Sequence, residues 1–440
     1  MNTDTGFDTR FVTWFRAVAP YFHAFRGKTF VIAFGGEVVA DGKFSFLAHD
    51  INLLHAAGIR LVLVHGSRPQ IEAQLRQRRA KARYKNGIRI TNDVALECVK
   101  EAVGVLRVEI DALLSQGLPN SPMAGAAINT VSGNFITAQP YGVREGVDYQ
   151  YTGAVRKVDV AAISSCLDVN NIVIVSNVGY SPTGEVFNCA MEDVAVATAK
   201  GLGAEKLIFL TDEPVTDQDM KLVTELSVEQ ASSLLTSSNT LTADTCLYLA
   251  HAVEAVTAGV PRAHLVSHKA DGALLIELFT HDGSGSLLTK SGVERLRKAT
   301  IDDVRGILQL IEPLETDGTL VFRGRELLER EVDRFFVIEH DNMIVGCAAL
   351  YPFPKGKTAE LAALAVRPEF RGAGYGEQLV EALSAEARAR GMKKLIVLTT
   401  LTTHWFIERG FTLGGVSSLP EPKRSLYNWQ RRSKVLVRNL

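Results

Sequence analysis

Between Leu361 and Gly376 the chain reads LAALAVRPEFRGAGYG, with a carboxylate, Glu360, just ahead of it. An apolar run of β type ends at Val366. A basic glycine-rich turn follows, with Arg371, Gly374 and Gly376 spaced R-x-x-G-x-G, and a helical pattern then continues from Glu377 to Arg390 and stops at Gly391. Glycines let the main chain approach a bulky anion, and the N–H groups and dipole of a helix start attract it. The anion that fits such a turn is a pyrophosphate, held by Arg371, Gly372, Ala373, Gly374, Tyr375 and Gly376. The spacing alone is weak; its position between a buried strand and a helix gives it weight.

The elements that position this turn belong to a long chain. Its 440 residues exceed one ordinary domain, and 46 % hydrophobic with 22 % charged residues is a globular composition. A net charge of −1 gives no electrostatic basis for a nucleic-acid partner. The five cysteines are scattered without a C-x-x-C, which indicates neither a zinc knuckle nor a disulfide scaffold and fits a reducing, cytoplasmic setting. No run is long enough to span a bilayer and no secretory pattern opens the chain, so no membrane partner is expected.

From about Thr29 to Leu288, strand-like runs (Thr29–Phe34, Arg60–Val64, Asn171–Val175, Lys206–Leu210) alternate with helical ones (Phe46–Ala57, Asp93–Leu114). That alternation predicts a largely parallel sheet covered on both faces. The stretch HDGSGSLLTKSG, His281 to Gly292, reads as a linker or in part as a functional loop. It places a boundary near Lys290, giving domains 1–290 and 291–440. A second β/α pattern follows: Arg334–Glu339, Met343–Leu350, Glu360–Val366 and Lys394–Leu398. Near the N-terminus, Phe11, Phe15, Val18, Phe22 and Phe25 recur at seam-like spacing through Pro20. That stripe packs either on its own domain or on another subunit. His264 and His268 are spaced i, i+4, but in a strand-like run this does not converge, so neither they nor His65 imply a metal.

The turn at Arg371–Gly376 resembles the acetyl-coenzyme A signature of the GCN5-related N-acetyltransferases (GNAT). The segments FVIAFGGEVV (Phe30–Val39), LVHGSRPQI (Leu63–Ile71), AEKLIFLTDEPV (Ala204–Val215) and ALLIELFTHDGSGSLL (Ala273–Leu288) resemble the amino-acid kinase fold, most closely N-acetylglutamate kinase. Together they imply an α/β chain: an amino-acid kinase-like parallel sheet sandwich, then a GNAT domain. The order resembles the bacterial, arginine-inhibited N-acetylglutamate synthase family. It departs from the kinases where phosphate is handled: Ala33 replaces a lysine, Ser67 and Arg68 replace glycines after His65, Glu192 and Ala190 stand for an aspartate and an asparagine, and Tyr248 replaces a second lysine. Phosphoryl transfer depends on positioning and neutralising charge, so this domain is expected not to transfer phosphate.

The resemblance implies acetyl transfer from acetyl-CoA to L-glutamate, the first step of arginine biosynthesis. Glu360 then serves as general base, and the backbone of Leu364, Ala365 and Val366 pairs with the pantetheine arm. Thr399 takes the place of a serine proposed to protonate the thiolate, and Arg323 and Arg431 read the acceptor's carboxylates. The family's effector, L-arginine, maps onto Tyr21, Lys206, Ser267, His268, Glu277, Phe279 and Gly285, with Glu277 facing the guanidinium. The family also implies a homo-oligomer, a hexamer. The rival readings are a bifunctional synthase–kinase and a CoA- and arginine-binding protein without catalysis.

Overall fold

The computed structural model describes residues 5–217, 219–237, 241–280, 283–290, 294–340, 343–372, 374–425 and 427–440. The chain forms two compact units, Met1–Gly292 and Val293–Leu440. The first is built on an eight-stranded sheet. Its strands, in chain order, are β1 (Thr29–Phe34), β2 (Arg60–His65), β3 (Thr130–Ser132), β4 (Ile172–Ser176), β5 (Lys206–Thr211), β6 (Glu225–Ser227), β7 (Arg262–Ser267) and β8 (Ser286–Thr289). They lie side by side as β6-β8-β7-β5-β1-β2-β4-β3. Every pair is parallel except β7–β8. The near-continuous apolar runs TFVIAF and RLVLVH are buried along almost their whole length, as a sheet covered on both faces requires. A small closed barrel of Ile136–Pro140, Thr152–Val158, Val178–Tyr180 and Val186–Cys189 adjoins it in sequence.

The Gly/Ser-rich stretch read as a linker contains a strand: β8 inserts between β6 and β7. Alternating Ser286, Leu287 and Leu288 supply the pattern that its flanking glycines obscure. The aromatic helix α1 (Thr5–Phe25) carries Pro20 within it. Its stripe divides. Val18 and Phe25 are buried, and Phe22 and Phe25 meet Phe279 at 5.2 and 5.9 Å. Phe11, Trp14 and Phe15, by contrast, are each more than half exposed. Phe279 lies on α2 (Ala273–Phe279).

The second unit is a seven-stranded sheet. Its strands are β9 (Glu294–Lys298), β10 (Phe335–His340), β11 (Met343–Phe353), β12 (Thr358–Val366), β13 (Lys394–Thr399), β14 (Thr412–Gly414) and β15 (Lys434–Asn439), ordered β9-β10-β11-β12-β13-β15-β14. The neighbours are antiparallel except β12–β13. One face packs Leu350, Leu361, Leu395 and Val397 with helix residues Leu379 and Leu383. The other packs Cys347, Ala349, Ala363 and Ala365 with Ile307, Ile311 and Leu328. The helices involved are α3 (Val304–Thr316), α4 (Arg325–Glu331) and α5 (Tyr375–Ala389).

Gly376, in the first turn of α5, has a packing reason to be glycine. A Cβ there would stand 2.9 Å from Trp405 Cζ2 and 3.2 Å from Cη2. Trp405 is itself held, with Arg409 4.0 Å over its ring and Phe406 edge-on at 4.9 Å. Gly376→Ala is therefore expected to destabilise the second unit by about 1–3 kcal/mol, the usual cost of overpacking. Scanning calorimetry should show a lowered Tm; an unchanged Tm would mean that Trp405 simply gives way.

Candidate active site and effector pocket

The second unit's site begins where β12 and β13 stop pairing. Thr358–Leu361 match Lys394–Val397 in register, and beyond them both strands continue unpaired with each other. The other edge of β12 explains the divergence. Its register with β11 shifts between Cys347 and Ala349, opposite Ala363, which sits at φ +51°. A bulge of this kind bends its strand and adds twist. It leaves Ala362–Val366 unpaired on the β13 side, with Leu364 and Val366 partly buried and Ala365 buried.

The glycine turn follows directly. Gly372 and Gly374 take φ of +96° and +85°, the left-handed region that glycine enters without strain. Gly374 caps α5, and its carbonyl accepts from the N–H groups of Glu377 and Gln378. Arg371 Nε reaches back to the Val366 carbonyl at 3.4 Å. Tyr375 turns into the core against Phe370, so what it offers the turn is main chain. Ala373 lies outside the described residues.

Glu360 is buried in β12, opposite Tyr351 of β11. Directly opposed residues share a face, so Glu360 lies on the face of α3 and α4. The Tyr351 hydroxyl donates to Glu331 Oε2 at 2.8 Å. Burial, then this bond, raises its pKa, and the neighbouring Arg323 works against the rise. Arg323 Nη1 donates to the Val321 carbonyl at 2.9 Å. Arg431 Nη2 donates to the carbonyls of Gly318 and Thr319 at 3.1 and 2.5 Å. The two arginines thus converge on one loop, residues 318–323. Thr399 ends β13; its Oγ1 accepts from the N–H groups of Leu401 and Thr402 at 3.3 and 3.0 Å and lies 2.9 Å from Thr402 Oγ1. Sequence reasoning missed Lys423, whose Nζ lies 2.8 Å from Glu360 Oε1. It stands on a one-turn helix, α6 (Glu421–Arg424), too short for any periodicity to reveal.

In the first unit, a second cluster forms at the N-terminal ends of β5 and β7. Lys206 Nζ lies 3.2 Å from His264 Nε2, and His264 Nδ1 lies 2.7 Å from Glu277 Oε1. Glu277 Oε2 accepts from the N–H groups of Ser284 and Gly285, both at 2.8 Å. All three side chains are buried. Burial, then the Lys206 cation, lowers the His264 pKa to about 4. The imidazole is therefore neutral, accepting at Nε2 and donating at Nδ1. Burial pushes Glu277 upward, but the bond from His264 and the two main-chain donors outweigh it and bring it to about 2. The charges balance as Lys206 cation and Glu277 anion across a neutral ring. The α1 aromatics roof this cluster: Lys206 Nζ sits 5.1 Å over the Phe25 ring, and Tyr21 meets Phe279 at 6.5 Å.

Tyr21, Lys206, Glu277, Phe279 and Gly285 are thus brought together. Ser267 and His268 are not: they lie at the opposite end of β7 with Asp212, whose carbonyl accepts from Ser267 Oγ at 3.1 Å and whose Oδ1 is 2.6 Å from His268 Nε2. The histidine of the cluster is His264. Its signal was a histidine inside a buried strand, on the same face as Lys206 of the adjacent strand.

The kinase-like glycine turns are filled by the chain itself. Gln70 Nε2 donates to the Gly36 carbonyl at 2.7 Å, and the Glu37 carboxyl lies where a Cβ on Gly35 would stand. Burial raises the pKa values of Glu37 and Glu192. Tyr248, where the kinases carry a lysine, is buried against Phe209. Arg68 turns aside over the Tyr84 ring at 5.5 Å. Among the described residues no group of His, Cys, Asp and Glu side chains is placed to hold a metal, and no helix is long and apolar enough to cross a membrane.

Residues 28–267 match the amino acid kinase family and residues 302–411 the acetyltransferase (GNAT) family. The class is therefore a kinase-fold unit joined to an acetyltransferase. The amino-acid acetyltransferase of Ralstonia nicotianae is 55 % identical over 432 residues, covering 98 % of this chain and 96 % of that protein. That of Azotobacter vinelandii is 50 % identical, covering 98 % and 99 %. The crystal structure of N-acetylglutamate synthase from Neisseria gonorrhoeae complexed with coenzyme A and L-arginine matches with a TM-score of 0.91 at 37 % identity, over 98 % of this chain and 99 % of that one. The chain belongs to the amino-acid acetyltransferase family, the N-acetylglutamate synthases, and is an acetyltransferase enzyme.

The His264 pair sets an acid-stability prediction. The unfolded imidazole takes up a proton near its ordinary 6.5, while the folded one refuses it until about 4. Stability is thus lost as pH falls through that window, by up to ~1.4 kcal/mol per pH unit for one proton. Glu277 extends the loss from its ordinary 4.5 down to about 2. Denaturant titrations between pH 7 and 4 should show this fall, and His264→Gln should flatten it. Buried His65, lowered to about 4 by burial, will keep a share in the variant. An equal slope in both proteins would refute the neutral-ring assignment.

Proposed function

We propose that this enzyme transfers the acetyl group of acetyl-CoA to the α-amine of L-glutamate, giving N-acetyl-L-glutamate and CoA, the first committed step towards arginine. The observation that carries the reading is the order along one strand: buried Glu360, then an unpaired edge, then the glycine turn. Main chain at Leu364, Ala365 and Val366 receives the pantetheine arm as an added strand. The turn from Arg371 to Gly376 and the start of α5 take the diphosphate.

An α-amino group titrates at about 8 in a peptide and higher in a free amino acid, so it arrives largely as ammonium. Glu360 takes that proton, directly or through one water. The freed lone pair forms the C–N bond at the thioester carbon; as the tetrahedral intermediate collapses the C–S bond breaks, and the second proton shed by the nitrogen passes to the departing sulfur, so that CoA leaves as the thiol. Thr399, whose oxygen accepts from the N–H groups of Leu401 and Thr402, is read as the hydroxyl that hydrogen-bonds that sulfur. Arg323 and Arg431 supply forked donors to the two acceptor carboxylates. Attack is direct: Cys347, the cysteine beside this strand, is buried, and burial pushes its thiol up to about 12, which leaves it no thiolate to act as nucleophile.

The relatives with coenzyme A and L-arginine, or coenzyme A and N-acetyl-glutamate, in their crystals support acetyl-CoA and arginine as ligands here. Arginine is read as the effector of the first unit, its guanidinium meeting Glu277 beneath Tyr21 and Phe279. That unit serves regulation: its filled glycine turns and missing lysines weigh against phosphate transfer. The exposed aromatics Phe11, Trp14 and Phe15 of α1 offer the surface for a homo-oligomer.

A thiol-release assay tests the reading. The chain should free CoA with L-glutamate and produce no ADP from ATP and N-acetylglutamate. Glu360→Gln should lower kcat by about 10²–10⁴-fold, the range of general base catalysis; intact turnover would remove it from the mechanism. Arg431→Ala should raise the KM for glutamate far more than that for acetyl-CoA. Glu277→Ala should abolish the arginine response while sparing acetyl transfer, and an undiminished response would move the effector elsewhere.

A further inference from the structure

A buried carboxylate meant to accept a proton already holds a cation. The Glu360 side chain is 7 % exposed, and Lys423 Nζ is 2.8 Å from its Oε1. Its two cross-strand neighbours, Tyr351 and Ile396, bring no second charge. Tyr351, opposite on β11, is committed to Glu331. Ile396, its partner on β13, belongs to an apolar seat with Leu419 and Val435. Buried Leu419 fixes the chain just before α6, where Pro420 O receives the N–H groups of Lys423 and Arg424.

An incoming amino acid brings its ammonium to this same carboxylate. Two cations on one buried carboxylate leave a positive charge uncompensated in a poorly hydrated place. The substrate also brings carboxylates, and Lys423 is one-third exposed on a flexible four-carbon stem. We propose that Lys423 is a substrate-positioning residue that exchanges counter-ions. Before substrate it neutralises Glu360. On binding it moves to one acceptor carboxylate, and Glu360 is left free to take the ammonium proton. This rests on the reading of Glu360 as base and glutamate as acceptor.

The test is steady-state kinetics of the full chain and of Lys423→Met and Lys423→Arg, with L-glutamate, L-glutamine and the α-amide of glutamate as acceptors. In Lys423→Met the KM for glutamate should rise about tenfold or more, as expected for losing a charge-assisted hydrogen bond. The KM for acetyl-CoA should stay within about twofold, which also certifies the fold. Lys423→Arg should recover most of the loss. The wild-type preference for glutamate over one of the two amides should shrink in Lys423→Met, and the amide concerned identifies the carboxylate that Lys423 reads. The proposal is overturned if glutamate KM is unchanged, if all acceptors lose kcat equally, or if Lys423→Arg behaves as Lys423→Met. If the unaltered chain acetylates no glutamate, the parent reading falls and takes this one with it.

Discussion

Two neighbouring strands that pair for four residues and then part shape the candidate site of the second unit. Parallel strands in a sheet ordinarily satisfy each other's main chain throughout. Here the bulge at Ala363, on the far edge of β12, turns the strand away from β13 after Leu361. The result is an unpaired edge inside a sheet, a feature proteins otherwise cover or avoid. Glu360 marks the last stretch of pairing, and the glycine turn follows six residues after the bulge ends. A single local irregularity thus sets the spacing of Glu360, the unpaired strand edge and the glycine turn.

The first unit keeps a parallel sheet and changes what stands at its ends. At the glycine turn after β1, Glu37 and Gln70 occupy the room that Gly35 and Gly36 leave. The carboxyls there carry raised pKa values because burial disfavours their charge. A phosphate would meet these carboxyls without the two lysines of the kinases, whose places are taken by Ala33 and Tyr248. At the other ends of the strands, Lys206, His264 and Glu277 form a charge-balanced cluster under an aromatic roof. The sheet is the same scaffold in both places, and side chains alone decide which end can receive a ligand.

Much of this was legible because the period of the sequence matches that of the structure. Apolar runs such as Thr29–Phe34 and Arg60–His65 are strands buried on both faces, and Asp93–Leu114 is one helix. The R-x-x-G-x-G turn was readable because left-handed φ at Gly372 and Gly374 is a main-chain need that leaves a residue signature. The illegible parts arise from tertiary juxtaposition. Lys423 reaches Glu360 from 63 residues further along the chain, on a single turn of helix. His264 and His268 were indistinguishable by type, and only the register of β7 against β5 assigns them to opposite ends. The strand Ser286–Thr289 was hidden because glycine and serine in a short segment outweigh two leucines.

The two buried carboxylates treat their charge in opposite ways, and the contrast bears on what each can do. Glu277 has a neutral imidazole on one oxygen and two main-chain donors on the other, with the Lys206 cation beyond. Those donors are fixed by β7 and the loop before β8, so the anion is paid for by structure that cannot swing away. Glu360 has one described partner, a lysine on a short turn. Removing a fixed main-chain donor requires local unfolding, whereas removing a lysine ammonium requires only rotation about its stem. A carboxylate that must remain an anion is best built the first way. One that must accept a proton within a catalytic cycle is best built the second, because its counter-ion can leave when a substrate cation arrives.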